Sequence, residues 1–392
     1  MKTAILGYGT VGSGVGEIID SLRDINIEVA HILERTENLH KHPLMCDDIN
    51  VILNDDEVEV VVETMGGIEP AHSFIMQALQ AKKHVVSANK AVIARYMEEF
   101  HACAKENGVG FLYEASCGGG IPWLHNLYNA LRIDEIDEIH GIFNGTTNYI
   151  LDHMEKEQAQ FDVILHKAQE LGYAESDPSA DIDGYDIQNK LRISASIAFE
   201  SNVPLTFPVF GIRNICKSDI DYAKSLQKKI KLLAVAKRSQ DRYYAAVEPT
   251  MYAETQTEAS VAENFNLTCL HGETIGDLKF YGQGAGKLPT ANAVVQDIID
   301  IYAGIDTQPV AKQKELRVDA SLVSGTYILR SNADEALIKE LFADAYTKKD
   351  VFDNRNYYHI TPISSYLMHQ KAAELMKTDG NLFFVHVAEV EA

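Results

Sequence analysis

At 392 residues the chain is longer than a typical single domain, so two or three domains are expected, and 46% hydrophobic residues leave ample core. A formal net charge of -22 at pH 7 argues against nucleic acid or any other polyanion as the natural partner, while leaving room for a phosphate-bearing cofactor held by local amides. Cys46, Cys103, Cys117, Cys216 and Cys269 form no CxxC pair, which argues against a disulfide framework or a cysteine zinc site. Met1 leads straight into an apolar run without a basic leader, and no apolar stretch is long enough for a bilayer, so a cytoplasmic protein with no membrane partner is expected.

In chain order, Thr3-Ala4-Ile5-Leu6 is a short apolar run followed by Gly7-Tyr8-Gly9-Thr10-Val11-Gly12 and a helical pattern at Val15, Ile18, Ile19 and Leu22. Strand, glycine turn and helix in that order are the context of a dinucleotide fingerprint. Gly7 permits the turn, Gly9 leaves room for a pyrophosphate, and Gly12 lets the helix approach the strand. The start of the helix, at Thr10 and Val11, then faces the negative charge. The plain alternative is a turn whose glycines serve packing alone. A second strand at 27–33 ends in Glu34-Arg35. Glu34 suits the ribose hydroxyls of NAD and Arg35 the 2'-phosphate of NADP, so NADH and NADPH both stay open.

Strands at 58–63, 84–87 and 109–113 alternate with helices at 70–80 and 91–106, which predicts a parallel sheet. Lys90 falls just beyond a strand end, where ligands of open α/β sheets bind, although a surface lysine is the default for any lysine. The loop Glu114-Ala115-Ser116-Cys117-Gly118-Gly119-Gly120-Ile121-Pro122 can turn its carbonyls toward one point and, with Glu114, hold a hard monovalent cation. A hinge between domains is an equal alternative. Cys117 is no persuasive nucleophile, since His125 is only one candidate for activating it.

A strand at 139–144 leads into Gly145-Thr146-Thr147-Asn148-Tyr149, where Thr146 or Thr147 caps a helix through Met154. After an amphipathic segment at 163–171 come Glu175, Asp177, Asp181, Asp183, Asp186 and Lys190 in quick succession. With 185–200 helical, Asp186 and Lys190 are four apart and share a face. A carboxylate beside an ammonium, after an acidic turn, can hold a small zwitterion and move a proton; the bland reading is a solvated loop and a surface pair. Residues 217–236 read as largely helical and 243–251 as a strand. A second glycine cluster, Gly282-Gln283-Gly284-Ala285-Gly286, has amides that can reach a nicotinamide, or it is a structural turn. The helix after it, apolar at Val294, Val295, Ile298 and Ile299, is expected to return to the first domain. Residues 308–320 look like a linker, and strands and helices at 326–388 make a small α+β unit for regulation, dimerisation or stability.

The residues 7–12, Glu63-Thr64-Met65-Gly66-Gly67, Ser87-Ala88-Asn89-Lys90, 114–122, Gly141-Ile142-Phe143-Asn144-Gly145-Thr146-Thr147-Asn148-Tyr149, 171–190 and 282–290 together resemble homoserine dehydrogenase, over about residues 1–305. The resemblance implies an α/β protein of three parts. They are a Rossmann-type NAD(P)-binding domain at 1–127 completed by 285–305, and a mixed α+β catalytic, substrate-binding and dimerisation domain at 128–284. After a linker at 306–322 comes a small, diverged ACT-like α+β domain at 323–392. It further implies reversible reduction of L-aspartate 4-semialdehyde to L-homoserine with NADPH or NADH, in amino-acid biosynthesis and in a homodimer.

By the same resemblance Lys190 transfers the proton, Asp186 stands at the catalytic centre and Lys90 joins them beside nicotinamide and substrate. Glu175 binds the substrate amino group, and Tyr173, Asp181, Gly145 and Thr146 line its pocket. Thr64, Gly66, Ser87, Asn89 and Gly284 add to the cofactor site, and Glu114, Cys117, Gly119 and Ile121 match a sodium site. The chemistry agrees: hydride delivery to an aldehyde carbon builds negative charge on oxygen, which an ammonium stabilises and protonates. Two departures stand out. Many relatives carry a basic residue where this chain has Glu34, and Ser331-Asn332-Ala333-Asp334 lacks the glycine of an ACT turn. Rival readings are a dinucleotide-sensing regulator without turnover and a dehydrogenase of another small amino acid.

Overall fold

The computed structural model describes residues 1–305 and 314–389. The chain forms two units, Met1–Ile133 with Arg192–Leu205 and Gly282–Gln313, and Asp134–Leu191 with Thr206–Tyr281 and Lys314–Ala392. In the first, the opening apolar run is the strand Lys2–Leu6 of a six-stranded parallel sheet. The strands lie side by side in the order Met45–Cys46, Glu28–Leu33, Lys2–Leu6, Val58–Glu63, His84–Ser87 and Phe111–Leu112. Strand order reverses direction beside Lys2–Leu6, the switch point at which such sheets bind dinucleotides. Ile5, Val60, Val62 and Val86 share one core with Val15 and Ile19 of the helix Thr10–Ser21 and with Val294, Val295 and Ile298 of the helix Lys287–Tyr302. The late helix thus returns to the first sheet, driven by the apolar stripe that marks it in the sequence; each such side chain contributes about 1.5–3 kcal/mol on burial.

The second unit is built on a mixed sheet that runs Gly276–Gln283, Phe265–Gly272, Ile136–Ile142, Lys228–Ser239, Arg242–Ala253, Phe383–Val387, Ser324–Arg330, Arg355–Ser364 and Tyr346–Phe352. The reading of 217–236 as helical is corrected here: the helix Lys217–Ser225 ends before Gln227, whose φ is +57°, and Lys228–Ser239 is a strand. Ile230 to Ala236 is buried on both faces between the strands Ile136–Ile142 and Arg242–Ala253, and a run buried all round carries no period by which helix and strand differ.

The tail alternates as strand Ser324–Arg330, helix Glu335–Phe342, strands Tyr346–Phe352 and Arg355–Ser364, helix Ser365–Leu375 and strand Phe383–Val387. Its last strand pairs in parallel with Arg242–Ala253, so the tail extends the same sheet and counts with the second unit. Of the expected linker, 306–313 lie outside the described residues, and Arg317–Val318 forms a short strand beside Arg242–Ala253. No helix among the described residues is long and apolar enough to cross a membrane.

Candidate active site

In the first unit the glycine turn is closed by steric necessity. A Cβ on Gly12 would lie 2.1 Å from the Gly7 carbonyl oxygen, and Gly7 itself has φ +86°. A Cβ on Gly9 would meet nothing within 4 Å, so space remains over the start of the helix, where Thr10 is exposed and Val11 half-buried. This open cradle at a helix N-terminus fits a pyrophosphate. Thr64 hydroxyl donates to the Gly7 carbonyl at 2.7 Å and so braces the turn from beneath.

Glu34 does not stand clear of the turn. Its carboxylate accepts from Tyr8 N–H at 2.9 Å, Asn38 Nδ2 at 2.7 Å and Arg35 N–H at 3.1 Å. Burial opposes the charge, but these bonds outweigh it and hold the carboxyl below the ordinary glutamate range. Arg35 is 81% exposed and lies 3.4 Å from Glu37.

The strand ends are tied together by Glu63, a residue to which the sequence alone assigns no role. Ser87 Oγ donates to it at 2.5 Å, Met65 N–H at 2.8 Å and Asn89 Nδ2 at 3.5 Å. Burial pushes its carboxyl up to about 7. Asn89 also donates to the Gly67 carbonyl at 2.7 Å and caps the helix Lys90–Asn107, so Lys90 opens that helix, half-buried. Ser87 and Asn89 thus order the loop that carries exposed Gly66. The position of Glu63 at a strand's C-terminal end, the same signal that picked out Lys90, could have marked it.

The two glycine clusters meet. A Cβ on Gly119 would lie 2.4 Å from the Gly284 carbonyl carbon, and Gly120 N–H donates to Gln283 carbonyl at 3.0 Å. The Glu114 carboxylate is committed elsewhere, accepting Leu124 N–H at 3.0 Å and His125 N–H at 2.7 Å at the start of the helix Trp123–Leu131. The Glu114 main-chain oxygen accepts Cys117 N–H at 3.2 Å, and Gly118 and Gly119, at φ +84° and +57°, allow the loop to turn its carbonyls. Cys117 is fully buried. The hydrogen bond to Glu114, against burial, pushes the His125 imidazole up to about 9, with the Glu114 and Asp297 charges adding to it.

In the second unit the structure sorts the acidic stretch. Asp177 accepts Ser179 N–H at 3.1 Å, and Asp183 is held by Arg213 at 2.6 Å, so these two fix the short helix Ser179–Ile182. Asp181 and Asp186 instead converge on Asn144, whose Nδ2 donates to them at 2.7 and 2.8 Å. Lys190 Nζ donates to Asp186 Oδ2 at 2.8 Å and to the Phe143 carbonyl at 2.7 Å, with Lys190 7% and Asp186 6% exposed. Asn144, not Thr146 or Thr147, caps the helix Gly145–Glu157, accepting Thr147 N–H at 2.8 Å. The correction is physical: asparagine before the first helical residue is a preferred cap, and that signal was in the sequence.

Gly145 has its Cα pressed toward the Asn264 carbonyl, where a Cβ would lie at 2.6 Å. Thr146 hydroxyl donates to the Tyr173 carbonyl at 2.6 Å, which docks the loop 172–178. Tyr173 is 40% exposed, its ring centroid 5.0 Å from that of Tyr149, and Glu175 is exposed.

A buried lysine held between a carboxylate and a carbonyl is suited to proton transfer at a polar substrate. A family model described as "Homoserine dehydrogenase" matches residues 122–299, and one described as "Homoserine dehydrogenase, NAD binding domain" matches residues 7–114. A homoserine dehydrogenase from Synechocystis sp. is 43% identical, over 77% of this chain and 73% of its own length. The chain belongs to the homoserine dehydrogenase family. A second homoserine dehydrogenase, from Bacillus subtilis, is 39% identical over 77% of this chain and 72% of its own. The structure of a homoserine dehydrogenase from Thiobacillus denitrificans superposes with a TM-score of 0.87 at 29% identity, covering 99% of this chain and 98% of the other. As a homoserine dehydrogenase the protein is an oxidoreductase that uses a nicotinamide dinucleotide, and homoserine and aspartate semialdehyde are its substrates.

Proposed function

We propose that Lys190 is the proton-transferring residue of this reaction and that Asp186 and Asn144 position it. The observation that carries the reading is the Lys190 ammonium, buried and fixed between Asp186 Oδ2 and the Phe143 carbonyl. When bound, the dinucleotide supplies the hydride that reduces the aldehyde carbon. As negative charge grows on the aldehyde oxygen, the Lys190 ammonium stabilises it and gives up one proton, leaving an alcohol and a neutral amine. In the reverse direction the amine takes the proton back. Asp186 holds the Lys190 side chain in an ion pair at 2.8 Å, and Asn144, bonded to both Asp186 and Asp181, keeps the two carboxylates in register.

Glu175, exposed on the loop that Thr146 docks, binds the substrate ammonium, with Tyr173, Asp181 and Gly145 shaping that pocket. Lys90 is an electrostatic partner on the dinucleotide side. Glu34, kept ionised beside the glycine turn, accepts from a ribose hydroxyl and repels a 2'-phosphate, so NADH is preferred over NADPH. The carbonyls of Glu114, Cys117, Gly119 and Ile121 hold a sodium ion, consistent with their hard, neutral oxygen donors.

The test is dinucleotide oxidation with L-aspartate 4-semialdehyde by Lys190→Ala. Turnover should fall by about 100- to 10,000-fold with dinucleotide affinity unchanged. Turnover within a few-fold of the unaltered protein would remove Lys190 from the mechanism.

A further inference from the structure

The helix Trp123–Leu131 and the return helix Lys287–Tyr302, both in the first unit, meet over a set of charges that the dehydrogenase chemistry does not use. His125 Nδ1 lies 2.8 Å from Glu114 Oε2, while its Nε2 lies 2.9 Å from Asp300 Oδ2 and 3.6 Å from Asp297 Oδ1. Asp297 and Asp300 are three residues apart in one helix and therefore share a face. Nε2 and one oxygen of each aspartate lie within 4.8 Å of one another.

The surroundings are those of a ligand set. The Glu114 carboxylate accepts the Nδ1 proton and so turns the Nε2 edge of the ring toward the two aspartates, as carboxylates behind ligating histidines do; without metal Nε2–H donates to Asp300, and a bound ion would take the place of that proton. Asp297 is oriented in turn, its Oδ2 accepting Glu114 N–H at 2.9 Å. Its side chain is 2% exposed, against 22% for His125 and 18% for Asp300, so the set has a buried anchor and a way in from solvent.

Charge separates this cluster from two others of like composition. At His140, Glu258 and Cys269, Glu258 already pairs with Lys279 at 2.7 Å; at Asp152, His153 and Glu263, Lys156 reaches both carboxylates, at 2.8 and 2.7 Å. Among the described residues, no lysine or arginine pairs with Glu114, Asp297 or Asp300, and one imidazole faces three carboxyl groups. The surplus of negative charge is what a dication would neutralise.

We propose that His125 Nε2, Asp297 and Asp300 bind one first-row divalent metal ion, with Glu114 orienting the imidazole, and that the ion pins the return helix to the first unit. Imidazole with carboxylates suits Zn²⁺, Co²⁺ or Mn²⁺, and three protein ligands leave coordination positions for water. The site uses the Glu114 carboxylate and the carbonyl loop the Glu114 main-chain oxygen, so the two sets share that residue but no ligand atom, and the site is independent of the roles given to Lys190 and Asp186.

The experiment titrates the chelator-stripped, full-length protein with Co²⁺ and with Zn²⁺ at constant sodium. Bound metal is counted by equilibrium dialysis, and Co²⁺ visible absorption and the melting temperature are followed. The expected result is about one ion per chain, a raised melting temperature, loss of both in His125→Ala, affinity at least about tenfold weaker in Asp300→Asn, and no change in His140→Ala. Absence of binding, binding that survives His125→Ala and Asp300→Asn, or binding that disappears in His140→Ala overturns the proposal. Should His125→Ala not fold, the partly exposed Asp300→Asn decides the question alone. None of these readouts is turnover, so failure here leaves the proposed dehydrogenase mechanism intact.

Discussion

Two of the buried polar clusters in the second unit are each built around a carboxylate. In one, Asn144, Asp181, Asp186 and Lys190 gather, and Thr146, two residues after Asn144, holds the loop that exposes Tyr173 and Glu175. In the other, Glu248 is 1% exposed and accepts from Tyr327 Oη at 2.8 Å, Ser365 Oγ at 2.8 Å and His369 Nε2 at 2.9 Å, and Tyr244 Oη donates to Ser365 at 3.3 Å. The second cluster joins the strand Arg242–Ala253 to strand and helix of the tail, among Tyr327, Phe384 and Met368 of its core. Both satisfy their buried charge, as buried charge must be satisfied. The first borders exposed polar residues and holds an ammonium, while the second is walled in and holds its own carboxylate. Burial of charge therefore says little about purpose until the surroundings are known: one cluster is the proposed site of chemistry, the other fastens the tail to the sheet of the second unit.

The comparison is sharpened by changes that strike one cluster alone. Asp186→Asn keeps the hydrogen-bonding shape around Lys190 and removes the charge, so turnover of the folded protein should fall by about 100-fold or more, beyond the stability lost with the buried ion pair. Turnover kept within a few-fold by the folded variant would class this cluster with the Glu248 one. Glu248→Ala strands the buried donors around it and should cost about 3–5 kcal/mol, read as a lower urea midpoint. Burial raises the Glu248 carboxyl, yet His369 and Ser365 hold it below the ordinary range. Its stabilisation is then present above the unfolded-state value and lost as pH falls through the folded one, so the unaltered protein should lose more stability in acid than Glu248→Ala does.

Glu63, in the first unit, has the opposite sign. Its folded value, raised by burial to about 7, lies above the unfolded one, so the stability linked to its proton is present below about 4.5 and lost as pH rises through 7. Glu63→Gln should gain on the unaltered protein by up to about 3 kcal/mol between pH about 5 and about 8.5, measured as the difference in unfolding free energy. A difference that does not change with pH would show that Glu63 keeps one protonation state throughout. The smallest expected effect is at Glu34. Glu34→Gln retains an acceptor for Tyr8 N–H and removes the charge, shifting the NADPH-to-NADH ratio of kcat/KM upward by about tenfold. An unmoved ratio would place the discrimination elsewhere, with Arg35 the first alternative.

Much of this was legible before any coordinates. The glycine turn, the return of the late helix and the Asp186–Lys190 pair follow from local spacing, because steric closure and helical periodicity act over a few residues. The strand Lys228–Ser239 was not legible, since its apolar run takes its form from neighbours on both sides. Nor could the sequence divide the six charged residues of 175–190 among capping, ion pairing and the active centre. Asp177 and Asp183 differ from Asp181 and Asp186 only in what lies opposite them, Ser179 and Arg213 in one case and Asn144 in the other. The turn at Ser331-Asn332, distinguished in the sequence by its missing glycine, is filled by Asp379, which accepts from Ser331 Oγ and Asn332 N–H at 2.7 Å each.

The most direct test compares Lys190→Ala and Glu248→Ala side by side, measuring kcat with L-aspartate 4-semialdehyde and the urea unfolding midpoint on both. A separation in turnover is expected: Lys190→Ala, while folded, loses turnover by about 100-fold or more whatever its midpoint, whereas Glu248→Ala, while folded, keeps turnover within a few-fold although it unfolds at lower urea. Two variants that lose turnover and stability in equal proportion would contradict the separation of chemistry from fastening.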